Sequence, residues 1–151
     1  MTTLSKKLLV VSHSQSGGTA ELAAAAVAGA ADEAISGVEI RERDALGADA
    51  DDVRWADGLI LATPENFGYM SGALKYFFDR IYYPCLEHTQ GLAYVLVIKA
   101  GNDGLGALNA VNRITTGLAW RQVAEPLLVV GTVTRDSIDH AQELGMTLAA
   151  G

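Results

Sequence analysis

Val10-Val-Ser-His-Ser-Gln-Ser-Gly-Gly-Thr-Ala20 is an apolar strand that stops in a loop of hydroxyls and glycines and then opens a helix. Gly17 and Gly18 let the backbone turn its N–H groups toward a ligand, while Ser14, Ser16 and Thr19 add hydroxyl donors. The positive end of the following helix supplies a favourable potential, so the composition is that of a phosphate cradle. No lysine or arginine lies between Lys7 and Arg41. The loop is therefore expected to hold its anion by neutral dipoles alone.

Outward from this junction, apolar runs recur at residues 8–11, 38–40, 59–62, 93–98 and 127–130, with stretches of helical spacing between them. Short apolar runs bounded by turn residues suit strands buried on both faces, and their alternation with helices implies a parallel sheet. The run Val38-Glu-Ile40, followed by Arg41-Glu-Arg43, alternates apolar and charged residues and reads as an edge strand. Helices are expected near residues 19–33, 51–56, 71–82, 105–120 and 137–149. In the third, Leu74, Phe77, Phe78 and Ile81 fall at i, i+3, i+4 and i+7 and form one apolar stripe, with Lys75 and Asp79 outside it. In the fourth, Ala107, Val111, Ile114 and Leu118 do the same. Right-handed crossovers leave few topologies, and with strand order 2-1-3-4-5 the order reverses between the first and third strands. The loops after strands one, three and four should build the site.

Composition narrows the possibilities. A chain of 151 residues, half of them apolar, is read as one domain spanning residues 1–151. A net charge of -7 argues against nucleic acid, because phosphate neutralisation needs a basic face. The polar start through Lys7 is followed by only a short apolar run, and no membrane span is expected. One cysteine, Cys85, cannot form an internal disulfide, in keeping with a cytoplasmic setting. Cys85 and His88 are too few to make a metal site.

The loop after the third strand, Thr63-Pro-Glu-Asn-Phe-Gly-Tyr-Met-Ser-Gly72, places Pro64, Glu65, Asn66 and Gly68 beside the aromatic rings of Phe67 and Tyr69. An aromatic wall next to hydrogen-bonding backbone suits a flat heteroaromatic ring. The loop after the fourth, containing Gly101, Asn102, Asp103 and Gly104, is similarly rich in glycine and short polar residues. Each loop alone resembles an ordinary turn. Their joint position beside a phosphate cradle is the stronger signal.

Rival sites lack required residues. A dinucleotide fold would carry G-x-G-x-x-G at the first turn; here Glu42 and Asp44 lie near the acidic position, but the glycine pattern is missing. A P-loop needs lysine where Gly18 stands. Ser12 and His13 replace the paired acids of a receiver domain, and Gly91 stands where a C-x5-R phosphatase would need arginine.

Ser14-Gln-Ser-Gly-Gly-Thr19 resembles the FMN phosphate loop of flavodoxins, with Gly18 in place of the usual asparagine. The segment from Thr63 to Asp79 is similar to the flavin loop and following helix of flavodoxin-like NAD(P)H:quinone oxidoreductases and NADPH-dependent FMN reductases. This resemblance implies an α/β flavodoxin-like three-layer sandwich around a five-stranded parallel sheet. It implies that Ser14, Ser16, Gly17, Gly18 and Thr19 hold the FMN phosphate, that Pro64, Glu65, Asn66, Phe67 and Gly68 line the isoalloxazine, and that Gly101, Asn102, Asp103 and Gly104 close its other side. The expected activity is transfer of electrons from NADH or NADPH through FMN to a quinone, flavin or similar small acceptor. The alternatives are an electron-transfer flavodoxin that serves redox proteins, or a binding module without flavin. No catalytic residue is assigned, because the cofactor carries the chemistry. By analogy with related reductases the resemblance implies a homo-oligomer. His13 is read as a loop hydrogen-bonding residue, Lys75 as a solvated helix cation and Trp55 as a helix-end core residue.

Overall fold

The computed structural model describes residues 5–151, so the beginning of the polar N-terminal stretch lies outside the described residues. The elements run β1 (Lys6–Ser12), α1 (Gly18–Ala30), β2 (Val38–Asp44), α2 (Ala50–Trp55), β3 (Gly58–Asn66), β4 (Tyr69–Met70), α3 (Gly72–Cys85), β5 (Ala93–Ala100), α4 (Leu105–Gly117), β6 (Arg121–Gln122), β7 (Leu127–Val130) and α5 (Arg135–Ala150). The sheet order is β2-β1-β3-β5, with β6 and β7 both parallel to β5 and β4 antiparallel to β3. This is the expected 2-1-3-4-5 arrangement of a flavodoxin-like fold.

The expected fifth strand is two strands rather than one. β6 pairs with Ala93 and Tyr94 at the start of β5, and β7 pairs with residues 97–100 at its end. Between them residues 124–126 leave the ladder, and Pro126, which has no N–H to donate, holds the interruption. A broken outer strand offers a poor template for another chain. The opposite edge is β2, as its charged alternation predicts, and Arg41 there binds Asp52 at 2.9 Å while its guanidinium stacks 3.9 Å from the Trp55 ring centre.

Alternation along the central strands sorts two cores. Leu9, Val11, Leu59, Leu61, Leu96 and Ile98 face α3 and α4, where Leu74, Phe77, Phe78 and Ile81 form the predicted stripe and are buried. Leu8, Val10, Ile60, Val95 and Val97 face α1 and α5. Burial of a side chain such as Phe77 contributes about 1.5–3 kcal/mol. On the second face the alanines of α1 allow α5 to come close: a Cβ at Gly145 would lie 1.8 Å from the Ala26 carbonyl oxygen, and one at Gly29 would lie 2.0 Å from that of Gln142.

Several helix ends differ from expectation for local reasons. α1 stops at Ala30 because Asp32 turns back to accept from the Ala34 N–H at 2.8 Å. α3 continues to Cys85, taking Pro84 into its last turn. α4 stops at Gly117 because Ala119 adopts φ 59°, which sends Trp120 into the core to donate its indole N–H to Thr89 at 2.8 Å. Ile114 is consequently only partly buried, and Thr115 takes an inward position instead.

Candidate functional site

The strand–helix junction of β1 and α1 is shaped by Gly17, whose φ of 96° only glycine adopts without strain. Ser14 Oγ accepts from the Gly17 N–H at 3.0 Å, which fixes the loop while leaving the serine hydroxyl hydrogen free to donate. No side chain caps α1, and the first amide to find an intrahelical partner is that of Glu21, bonded to Gly17 O at 3.0 Å. The N–H groups of Gly18, Thr19 and Ala20 therefore stand free at the positive end of the helix. Thr19 is buried beside them, and Ser16 is exposed at the rim.

One cationic side chain that the sequence around the loop does not show comes close to this junction. The side chain of Lys99, at the end of β5, lies against Gly18, with Cε 3.1 Å from where a Cβ would stand. The sequence around the loop contains no cation because this one arrives from 81 residues further along the chain. Its trace is on β5 itself: Val95 and Val97 face α1, and Lys99 is next on that face.

The stretch expected to be a loop after the third strand is a hairpin. β3 extends through Asn66, with Glu65 opposite Met70 and Asn66 opposite Tyr69. Phe67 and Gly68 make the two-residue turn at φ 53° and 70°, the left-handed pair that a type I′ hairpin requires. Pro64 is tolerated inside β3 because β1 ends opposite Ala62, leaving Pro64 paired only with Lys99 of β5. Buried Thr63 joins the strand to α3: its hydroxyl donates to Pro64 O at 2.9 Å and accepts from the Ser71 N–H at 3.0 Å. Ser71 caps α3 through the Leu74 N–H. Phe67 at the tip is wholly exposed, the largest apolar side chain left to solvent at this edge.

The Glu65 side chain makes a contact within the fold. Its carboxylate accepts from the Ala107 N–H at 3.1 Å, tying the hairpin to the start of α4. Gly106 completes that junction, since a Cβ there would fall 1.9 Å from Gly68 O. In the third loop Gly101 and Asn102 are exposed, and Asp103 likewise turns inward on its own backbone, accepting from the Leu105 N–H at 3.0 Å. Gly104 is the left-handed cap of α4, at φ 76°. The side chains of Glu65 and Asp103 thus position the loops. All three loops stand at the carboxyl edge of the sheet, beyond the ends of β1, β3 and β5.

Between the hairpin and α4 runs a cleft of about 380 Å³ lined by Tyr69, Lys75, Gly106, Asn109, Arg113 and Ile114. Lys75 is bound to Asp79 at 2.5 Å; that hydrogen bond holds its ammonium above the usual lysine pKa. Sequence reading missed Arg113 because only the docking of α4 on the hairpin brings it beside Lys75. His13 Nδ1 lies 3.4 Å from Oδ2 of Asp44 at the end of β2, a contact to the neighbouring strand rather than within its own loop. Cys85 is buried, and burial pushes its thiol pKa up. Among the described residues no group of acids, histidines and cysteine could hold a metal ion, and no helix is long and apolar enough to cross a membrane.

The family model for NADPH-dependent FMN reductases matches residues 6–135, which includes all three loops. A flavodoxin of Aquifex aeolicus (strain VF5) is 36% identical over 75 residues, covering 50% of this chain and 40% of that protein. An NADPH azoreductase of Bacillus sp. (strain OY1-2) is 31% identical over 84 residues, covering 56% and 47%. The matched stretches thus span less than half of either relative. Among solved structures, a flavodoxin from the domain Archaea superimposes with TM-score 0.83 at 18% identity, covering 95% of this chain and 96% of that one. The apo form of an NADH:FMN oxidoreductase gives 0.77 at 21%, covering 97% and 89%. These two likenesses speak to the fold alone, whereas the family model spans most of the chain: the protein belongs to the NADPH-dependent FMN reductase family.

Proposed function

We propose that this chain binds FMN at the carboxyl edge of its sheet and is an oxidoreductase taking electrons from NADH or NADPH. The observation that carries the reading is the convergence of two unlike surfaces on one edge. Free amides at the start of α1 suit a terminal phosphate, while the hairpin and α4 cap offer backbone groups and the Phe67 ring to a planar heterocycle. When bound, FMN would accept hydride and pass electrons onward. The chain's own part is to orient it. Ser14, Ser16, Gly17, Gly18 and Thr19 hold the phosphate end; residues 64–68 and 101–104 present backbone to the two sides of the ring. Arg113 and Lys75 give the adjoining cleft the charge that a nicotinamide donor's phosphates require.

A second reading, an electron carrier serving redox proteins, is favoured by the flavodoxin relative and by the net charge of -7, which suits basic partners. Steady-state oxidation of NADH and NADPH by the FMN-loaded protein, with a quinone or azo dye as acceptor, separates the two. Turnover above that of free FMN is expected. A rate no higher than free FMN would overturn the enzyme reading in favour of the carrier.

A further inference from the structure

We infer that Lys99 is the cation of the phosphate site and sets the preference of this chain for FMN over uncharged flavin; the inference rests on the FMN reading above. Its stem follows Val95 and Val97 on the α1 face of β5, so the sheet delivers it to the helix start rather than to solvent. The methylenes pack over Gly18, with Cε, Cγ and Cδ 3.1, 3.4 and 3.5 Å from the position of a Cβ. A residue with a side chain at position 18 would compete for the space that the lysine fills. Gly18 and Lys99 are thus two halves of one device: the glycine removes a side-chain donor from the loop, and the lysine brings a charge in its place.

The ammonium is also uncommitted. Among the described residues no carboxylate lies within 4.0 Å of Lys99 Nζ, and no hydrogen bond fixes it. Glu21, the acid in the first turn of α1, forms no ion pair with it. A cation whose stem packs on the first residue of α1 attracts a phosphate dianion at the helix start far more than a neutral ribityl hydroxyl. That difference is selectivity. Riboflavin, which has the same ring but no phosphate, should not feel the lysine.

The test is a set of fluorescence titrations of apoprotein with FMN and with riboflavin, at several salt concentrations, for the wild type, Lys99→Met, Lys99→Arg and Arg121→Met. Arg121 pairs opposite Ala93 at the far end of β5, about 20 Å from Lys99 along the strand, and controls for net charge. Lys99→Met is expected to weaken FMN about tenfold or more, equivalent to about 1.4 kcal/mol, and to flatten its salt dependence, while riboflavin stays within about twofold. Lys99→Arg should remain near the wild type, and thermal melting of the apoproteins checks the fold. Lys99→Gln, which keeps a polar side chain but removes the charge, should weaken FMN and flatten the salt dependence in the same way and covers the case of a misfolded Lys99→Met. Wild-type binding of FMN with Lys99→Met unchanged, or with FMN and riboflavin weakened equally, would overturn the role of Lys99 alone. Failure of the wild type to bind FMN would remove the FMN reading and this inference together.

Discussion

Adding one methyl group at Gly106 tests whether the hairpin and α4 form a single ring-binding wall. A Cβ there would lie 1.9 Å from the Gly68 carbonyl oxygen, so in Gly106→Ala the hairpin tip must retreat by about 1 Å or more. The same displacement strains the Glu65–Ala107 hydrogen bond next to it, 3.1 Å long in the native chain. Overpacking against backbone costs about 1–3 kcal/mol. If the apoprotein absorbs all of it, Tm falls by about 2–12 °C, at 2–4 °C per kcal/mol for a chain of this size. If instead the hairpin swings away, Tm changes little and the cost emerges as about 5–150-fold weaker FMN binding. Both quantities should be measured, by calorimetry of the apoprotein and by quenching of FMN fluorescence. Gly72→Ala is the control, because a Cβ at Gly72 meets nothing within 4 Å and alanine is the better helix former there. Gly106→Ala with both Tm and FMN affinity at wild-type values would refute the close approach of the hairpin to α4 and the wall built on it.

Three further outcomes follow from the same structure. Ser16→Ala with Thr19→Ala should weaken FMN by about 2–3 kcal/mol without affecting riboflavin, measured by titration; equal affinities for the variant and the wild type would remove both hydroxyls from the phosphate site. Gly145→Ala drives a methyl group into the Ala26 carbonyl oxygen, 1.8 Å away, and should lower apoprotein stability by about 3 kcal/mol in urea unfolding, a loss that a loosely packed α1–α5 pair would not show. Burial raises the pKa of the Cys85 thiol in the folded chain, so the stability it lends is fully present below the ordinary thiol pKa of about 8.5 and is lost as pH rises through the folded value. Native protein should accordingly react slowly with a disulfide reagent at alkaline pH and quickly in denaturant; rapid reaction of the folded protein would place Cys85 at the surface.

The strand order was legible because each central strand is an apolar run and each helix carries its stripe, as Leu74, Phe77, Phe78 and Ile81 do. The glycine- and hydroxyl-rich turn into α1 was legible because its residues are contiguous. The approach of Lys99 was not, because it depends on α1 packing over β5, which brings Gly18 and a residue 81 positions further along the chain side by side. The hairpin was concealed for another reason. Its turn pair is Phe67-Gly68, and a phenylalanine at φ 53° is an unusual choice where asparagine or aspartate is the common signal. Glu65 and Asp103 sit where a ligand contact was expected, yet each carboxylate is taken by an N–H at the start of α4, those of Ala107 and Leu105. A polar residue in a loop can serve the loop, and only the register of the neighbouring helix decides which.

The central claim, that the carboxyl edge is an FMN site, is most directly tested by titrating apoprotein with FMN while following both flavin fluorescence and thermal melting. The account predicts saturable quenching with one FMN per chain. At a free concentration about 100 times Kd it predicts about 2.7 kcal/mol of added stability, or a Tm rise of about 5–11 °C. Unquenched fluorescence together with an unchanged Tm at saturating FMN would contradict it.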